Sequence, residues 1–293
     1  DSTVDHNDIN LHFMASVSKS FASAVVGVAL HQGYLPNTDV NVLEAFAEFS
    51  PFTHLDENKQ QITLHDLLSM RAGIQWDEWS TPYGNPNNSW TQVSESFNWV
   101  KTLLFMPMDS EPGTTFIYNT ALPTAITQLV ENFSGIDDEV FIREQLFLPL
   151  GIEKVAWQAS GAGELHTGGG LFISRRDMAK FGQLYLNGGM WQGQRLISES
   201  WVEASTTAIT PLEWGDNTMG YGLQWWTNEF SLGDNTINGY HAAGYGGQFI
   251  FVFEQLDAVV VFTGKDYNHG AQYRARTYQL LNDHILPALL DSQ

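Results

Sequence analysis

Two apolar segments near the end of the chain, 247–254 and 257–263, constrain the fold more than any other part of the sequence. They are GQFIFVFE and DAVVVFT, and they lack the regular polar–apolar alternation of a strand with one solvated face. Their aromatic and β-branched composition favours neighbouring antiparallel strands. Strands that are apolar throughout need cover on both faces of the sheet. We therefore expect helices to pack on both sides of it.

Helical patterns fill most of the chain before these strands. Apolar residues recur at helical spacing in the segments 16–32, 63–71, 120–134, 137–148 and 175–187. Two later segments add to the pattern: YGLQWW (221–226), which predicts a further strand, and residues 270–290, which predict a closing helix.

This order indicates an α+β fold, an antiparallel sheet flanked by helices with an all-helical lobe beside it. We expect a single domain over 1–293. Its mainly helical lobe should span 22–218, and its sheet lobe should combine 1–21 with 219–293.

The charge balance limits the partners. The chain carries 33 acidic against 13 basic residues, a formal net charge of −20, which repels nucleic acid and anionic membrane surfaces. Cysteine is absent, which excludes disulfides and thiol catalysis, and the nine histidines show no metal-binding spacing. We expect no nucleic-acid partner, no membrane partner and no metal. The sequence leaves the cellular location open, with a periplasmic or secreted one slightly favoured.

Ser16 and Lys19 form the first candidate reactive pair. Their spacing places both side chains on one face of the predicted helix 16–32, one turn apart. At a helix start, backbone N–H groups and the helix dipole favour developing negative charge. A lysine buried there loses proton affinity and can act as a base. The spacing alone also fits a helix cap followed by a surface lysine, so both interpretations stay open.

Tyr118 is a second candidate, because FIYNTA at 116–121 brings a phenol to the start of a predicted helix. It could relay protons if a neighbouring cation lowered its pKa. Taken alone, it is more typical of a packing tyrosine.

With Ser16-Val17-Ser18-Lys19 and Tyr118 in this order, the chain resembles the serine β-lactamase-like hydrolases. That family includes class C β-lactamases, penicillin-binding DD-peptidases, family VIII carboxylesterases and 6-aminohexanoate-dimer hydrolases. Further blocks resemble family motifs in the expected order: ITLHDLLSMRAGIQWDE (62–78), EPGTTFIYNTA (111–121), LFLPLGI (146–152), TGGGLFISRRDMAKFGQLYLNGGMWQGQRLIS (167–198), YGLQWW (221–226) and HAAGYGGQ (241–248). Each block is weak by itself, and the ordered set is specific.

The resemblance implies a β-lactamase/transpeptidase-like fold and a serine acyl-enzyme mechanism that needs neither metal nor cofactor. In that mechanism Ser16 is the nucleophile, while Lys19 and Tyr118 move its proton. The backbone N–H groups of Ser16 and Gly244 would form the oxyanion hole. The implied substrate is a small-molecule ester or amide.

The family's third motif, Lys-Thr-Gly, falls on His241-Ala242-Ala243 when it is aligned without a gap to the following Gly-Gly. The lysine and threonine, which lie where penicillin-recognising members bind the substrate carboxylate, are then missing. A histidine is only partly charged near neutral pH. The departure favours an esterase or amidase, with His241 either in the substrate site or simply at a strand end.

Four more residues are candidates for substrate binding. Asn119 and Thr120 follow Tyr118 where the family has Ser-Asn, so the amide is shifted by one position. Gln248 follows Gly-Gly, although a strand-surface amide is the simpler interpretation. Tyr83 lies on the Pro- and Asn-rich loop 79–95, where it could cover the substrate or merely pack within the loop.

Two other functions stay open: a class C-type β-lactamase or DD-peptidase, and a non-catalytic binding protein on the same fold. The start of the chain raises a separate expectation. Family members usually carry a helix and two strands before the nucleophile helix, whereas 15 residues precede Ser16 here. Because an unpaired apolar edge is a liability, we expect a second chain, or an N-terminal segment outside this sequence, to add strands.

Overall fold

The computed structural model describes residues 10–214, 217–232, 235–268 and 272–291. Its helices are α1 (Ser18–His31), α2 (Val42–Ala45), α3 (Leu64–Leu68), α4 (Ser89–Ser94), α5 (Trp99–Leu104), α6 (Leu122–Ser134), α7 (Asp138–Phe141), α8 (Arg175–Leu186), α9 (Glu199–Thr206), α10 (Gln272–Leu280) and α11 (Leu286–Leu290). Its strands are β1 (His12–Phe13), β2 (Ala156–Trp157), β3 (Leu171–Ile173), β4 (Met190–Trp191), β5 (Gln194–Arg195), β6 (Thr210–Trp214), β7 (Asn217–Tyr221), β8 (Trp226–Leu232), β9 (Asn235–Gly244), β10 (Gln248–Phe253) and β11 (Ala258–Phe262).

The main sheet is antiparallel and has the strand order β11-β10-β9-β8-β7-β6. β10 and β11 pair from Phe249↔Phe262 to Phe253↔Ala258, as their composition predicted. Each strand is joined to its sheet neighbour by a short connection, so the sheet is a simple meander. A small sheet, β1-β3-β2, lies apart from it and ties the segment before Ser16 to the middle of the chain.

Helices cover both faces of the main sheet, which explains why β10 is buried along its whole length. On one face, α8 lies so close that a side chain at Gly182 would meet Val259 and Ile250 within 3 Å. On the other face, Leu281 and Leu286 from the C-terminal helices join the apolar cluster of β8, β9 and β10. The predicted α+β fold with a sheet flanked by helices is confirmed.

Helix α1 lies at the junction between the sheet and the helical region. Every residue from Ser18 to Ala29 is buried, as expected for a helix in the interior of a domain. Gln224 links this helix to the helical region, because its backbone carbonyl accepts from the Ser20 hydroxyl while its amide donates to the Leu67 and Leu68 carbonyls of α3. The Ser16 end of α1 is thereby fixed between both parts of the fold.

The predicted helices are present in outline, whereas one predicted strand and the start of the sheet differ from the prediction. YGLQWW spans the connection between β7 and β8 instead of forming a strand, because Gln224 takes a left-handed conformation at φ +67°. The sheet also begins at Thr210, upstream of the predicted lobe boundary at 219. Within the described ranges, no helix combines the length and apolarity needed to cross a bilayer.

Strand β11 forms one edge of the sheet in the described part of the chain. The expectation that further strands add to the sheet stays a prediction. Residues 1–9, which that expectation also concerned, and residues 270 and 271 of the predicted closing helix lie outside the described residues.

Candidate active site

Ser16 occupies a tight turn at the start of α1. The 3-10 turn Ala15–Val17 is preceded by Met14, whose N–H donates to the Leu171 carbonyl at 2.8 Å and so anchors the turn to β3. Ala15 has φ +46°, a left-handed conformation that costs a non-glycine residue on the order of 1 kcal/mol and is often found at functional sites. Ser16 is half-buried between buried neighbours, and we refer to the partly enclosed space around Ser16, Lys19 and Tyr118 as the recess.

Lys19 is almost fully buried, with 1% of its surface exposed. Its Nζ lies 3.0 Å from Ser16 Oγ, 3.3 Å from Thr120 Oγ1 and 2.5 Å from the Gly168 carbonyl oxygen. Loss of solvation lowers the pKa of Lys19 to about 8, although the nearby Glu78 carboxylate acts in the opposite direction. A substantial fraction of the lysine is therefore neutral just above neutral pH and can accept a proton from Ser16.

Tyr118 completes the trio that the sequence predicted. Its ring centroid lies 4.8 Å from Lys19 Nζ, and the ring stacks on Trp226 at 5.8 Å. Burial raises the pKa of Tyr118, and a hydrogen bond with the Ser16 side chain only partly opposes this. The condition stated for a proton relay, a cation that lowers the pKa of Tyr118, is not met, because desolvation outweighs the hydrogen bond with Ser16 and the charge of Arg274. A neutral phenol beside the serine can still donate a hydrogen bond and pass on a proton.

Glu78 is a site residue that the sequence analysis missed. It is 2% exposed and accepts from the Thr120 N–H at 3.0 Å, the Thr120 hydroxyl at 2.9 Å and the Trp76 indole at 2.9 Å. The Tyr83 hydroxyl is also within hydrogen-bonding reach. Desolvation raises the pKa of Glu78, and Lys19 lowers it. The available signal was a charged residue closing the apolar block ITLHDLLSMRAGIQWDE.

Of the two residues after Tyr118, the structure places Thr120 at the lysine and turns Asn119 to the backbone. Thr120 lies between Lys19 and Glu78. The Asn119 side-chain oxygen accepts from the N–H groups of Ala121 and Leu122, at 2.8 Å and 3.3 Å, and so caps the start of α6. In the described contacts, Asn119 supports the helix and Thr120 supports the site.

Gly244, at the end of β9, lies against the turn that carries Ser16. A Cβ there would come within 2.2 Å of the Met14 carbonyl oxygen, so the approach requires glycine. β8 begins at Trp226, opposite His241, so residues 242–244 extend beyond β8 on that side of the strand. This placement is compatible with the predicted role of the Gly244 N–H in an oxyanion hole, which stays a prediction.

The structure does not bring His241 to the serine. Its imidazole is completely buried, stacks on Phe251 at 4.8 Å and approaches the Tyr278 hydroxyl at 3.1 Å, on the face covered by the C-terminal helices. Burial lowers the pKa of His241 well below its usual value, so the ring is neutral. We therefore assign His241 a packing role instead of a substrate-binding one. Successive residues of a strand point to opposite faces of the sheet, and the His241 side chain lies on the face that the C-terminal helices cover.

Gln248 likewise has a structural role. Its side chain is 1% exposed, donates to the Gly264 carbonyl at 2.6 Å and accepts from the Gly264 N–H at 3.2 Å. Both hydrogen bonds join β10 to the chain that follows β11. The prediction that Gln248 binds substrate is not supported by these contacts.

Four aromatic side chains lie near Tyr118 and Glu78 and are called the aromatic rim, namely Trp79, Tyr83, Trp226 and Tyr245. Trp79 is 68% exposed and lies 6.1 Å from the Tyr118 ring. Tyr83 is 56% exposed, and its hydroxyl approaches Glu78, so that partial burial and the Glu78 carboxylate both raise the pKa of the phenol. The predicted position of Tyr83 over the site is therefore compatible with the structure. Such a rim offers flat apolar surface to a substrate.

One acidic group in the described ranges has the spacing of a metal site, namely Glu131, Asp137 and Asp138. Asp138 already accepts from the Gln128 amide and the Leu165 N–H, and burial raises its pKa to about 7. The group contains none of the residues around Ser16, so the chemistry of the recess does not depend on it.

The chain is similar to a known family and to proteins of known class. A family model described as Beta-lactamase matches residues 3–283. The chain is 24% identical over 270 residues to a 6-aminohexanoate-dimer hydrolase from Paenarthrobacter ureafaciens, a match that covers 85% of this chain. It spans only 65% of the length of that relative.

Two solved structures share the fold. A D-stereospecific amidohydrolase from Streptomyces sp. is 15% identical with a TM-score of 0.70, covering 94% of this chain and 86% of that one. A family VIII carboxylesterase is 17% identical, also with a TM-score of 0.70, covering 92% of this chain and 82% of that one. At these identities the likeness establishes the fold, and the chemistry has to be argued from the recess.

Proposed function

Because the chain belongs to the β-lactamase family, we propose that it is a serine hydrolase that cleaves esters or linear amides through an acyl-enzyme on Ser16. The observation that carries the proposal is the buried Lys19, whose Nζ lies 3.0 Å from Ser16 Oγ. A lysine held in this way is a base rather than a surface cation. The names of the similar proteins, a dimer hydrolase, an amidohydrolase and a carboxylesterase, support the same reaction class.

The proposed reaction has two halves. Ser16 Oγ forms a bond to the carbonyl carbon while its proton passes to Lys19, and the N–H groups of Ser16 and Gly244 hold the resulting oxyanion. As the bond from carbon to the leaving oxygen or nitrogen breaks, Tyr118 gives its proton to the leaving atom and takes up in exchange the proton held by Lys19, so that both residues return to their neutral forms. A water molecule attacks the acyl-enzyme by the same route and releases the carboxylic acid, which restores Ser16.

This mechanism predicts the pH dependence of the reaction. Lys19 must be neutral to accept the serine proton, and its pKa is about 8. The value of kcat/KM should therefore rise with pH, reach half its maximum near pH 8 and level off above it. The measurement is the hydrolysis of p-nitrophenyl acetate between pH 5 and 9.5, corrected for spontaneous hydrolysis. A profile that is flat from pH 7 to 9 would contradict the role of Lys19.

The substrate preference follows from what lines the recess. The lysine and threonine of the third motif are missing, because His241 and Ala242 stand at their positions, and the aromatic rim offers apolar surface. We expect p-nitrophenyl butyrate or a linear amide to be hydrolysed with a higher kcat/KM than benzylpenicillin or nitrocefin. A kcat/KM for benzylpenicillin above that of every ester and linear amide tested would favour the competing β-lactamase or DD-peptidase function instead.

A further inference from the structure

Glu78 has no part in the reaction proposed above, yet it is the carboxylate that faces the reactive lysine. Its two oxygens accept from three donor groups, the Trp76 indole and the N–H and hydroxyl of Thr120, at 2.9–3.0 Å. The Tyr83 hydroxyl approaches as well. A substrate group would have to displace one of these protein donors to reach Glu78. Its influence on the reaction must therefore pass through its neighbours.

The contact that matters is the one with Thr120. A threonine hydroxyl has one proton to give, and here it gives that proton to Glu78 Oε1. Toward Lys19 the hydroxyl can then act only as an acceptor, across 3.3 Å. The Gly168 carbonyl, at 2.5 Å from the same Nζ, is an acceptor in every state.

These two acceptors determine how the lysine is oriented. In the protonated state, Lys19 donates its three N–H bonds to Ser16, Thr120 and Gly168. In the neutral state it keeps two N–H bonds and one lone pair. Since Thr120 and Gly168 both require a donor, the lone pair faces the Ser16 hydroxyl, the one partner whose hydrogen bond can reverse its direction.

We propose that Glu78 is a positioning residue that fixes the direction of the hydrogen bonds at Lys19, so that the lone pair of the neutral amine faces Ser16. This inference rests on the proposed function, because it assigns a task within the same proton transfer. Glu78 also places negative charge near the lysine when the proton arrives, which stabilises the ammonium form.

A second buried carboxylate shows what a purely structural role looks like in this chain. Glu164 is 4% exposed and accepts from the N–H groups of Trp99 and Val100, at 2.6 Å and 3.1 Å, and from the Ser160 hydroxyl at 2.7 Å. It has a similar set of donors to Glu78, and none of them contacts Lys19 in the described hydrogen bonds. Glu164→Gln is therefore a matched control for loss of a buried, fully bonded carboxylate.

The informative variant is Glu78→Gln, which keeps the shape and removes the charge. Glu78 Oε2 accepts the N–H groups of Trp76 and Thr120, so the oxygen of the introduced amide must take that position. The NH₂ group then takes the position of Oε1 and faces the Thr120 hydroxyl. The Thr120 hydroxyl then accepts from the amide, and its own proton turns to the lone pair of Lys19. We expect kcat to fall by about 10²-fold with KM little changed, as when a misplaced group disturbs alignment.

The experiment measures the titration of Lys19 directly, in addition to the turnover. ¹³C-lysine NMR titration of the full chain should show the Lys19 midpoint falling by about one pH unit in Glu78→Gln, since an opposite charge nearby has been removed. The acid limb of kcat/KM should move by the same amount. In Glu164→Gln both midpoints should stay where they are, even if thermal unfolding shows an equal loss of stability.

Thr120 supplies an independent test should Glu78→Gln fail to fold. Thr120→Ser keeps the hydroxyl and should retain most of kcat. Thr120→Val removes the hydroxyl that links Glu78 to Lys19, and its kcat should fall by about 10²-fold. An unmoved Lys19 midpoint in Glu78→Gln, a change in KM alone, or equal kcat in the two Thr120 variants would overturn the proposal. Because the titration needs no turnover, absence of Ser16 acylation in the wild type would instead reject the proposed function.

Discussion

Replacing Ser16 by alanine should lower kcat/KM for p-nitrophenyl butyrate by about 10⁴-fold or more, because the acyl-enzyme cannot form without the nucleophile. The fold should survive, since the Lys19 amine keeps its contacts with Thr120 and Gly168. Hydrolysis is followed by absorbance, and folding by thermal unfolding. A fluorophosphonate should add its mass to the wild-type chain, at the peptide that contains residue 16, and leave Ser16→Ala unlabelled.

The matched control is Ser23→Ala, which removes a buried hydroxyl from the same helix without touching the contacts of Lys19. It should keep the activity and the labelling of the wild type. Full turnover by Ser16→Ala would reject the mechanism. A wild type that neither turns over esters, amides or lactams nor takes up the phosphonate would instead favour a non-catalytic binding protein on this fold.

Local features of the site could be predicted from the sequence. Ser16 and Lys19 meet because a helix brings positions three apart to one face, and that spacing is visible in the chain itself. Tyr118 was a candidate from its place before a predicted helix and gained its role from the resemblance to a family, and the structure places it at the same lysine. Burial, which sets the pKa of both Lys19 and Tyr118, depends on what packs around them and was only assumed.

The residues that were missed or misassigned depend on long-range placement. Glu78 and Gly168 are 59 and 149 positions away from Lys19 along the chain, and no spacing rule connects them. Glu78 reaches the lysine only because Thr120 packs between the carboxylate and the amine. For His241 both a substrate-site and a strand-end role were open, because an ungapped alignment gives the position along a strand and does not say which face of the sheet the side chain occupies. Ala242 joins the core with α1, whereas Ala243 joins the cluster beneath the C-terminal helices.

Replacing Gly168 by alanine should damage both the stability and the activity. Its φ lies outside the left-handed region, so an alanine can adopt the backbone, but the new Cβ would lie 1.9 Å from the Thr120 carbonyl oxygen. Both segments must then move apart, and they carry the two acceptors that hold Lys19. We expect a loss of about 1–3 kcal/mol in the free energy of unfolding and a fall in kcat of about 10²-fold from misalignment.

Gly161→Ala is the matched control, because the atoms nearest to a Cβ there belong to the Phe97 ring, the closest at 2.6 Å. Phe97 is 73% exposed and can turn away into solvent, so the chain should keep its stability and its kcat. Urea unfolding and ester hydrolysis measure both quantities on the same samples. If Gly168→Ala matched Gly161→Ala in both, the close contact between Gly168 and Thr120 would not be what holds Lys19 beside Ser16.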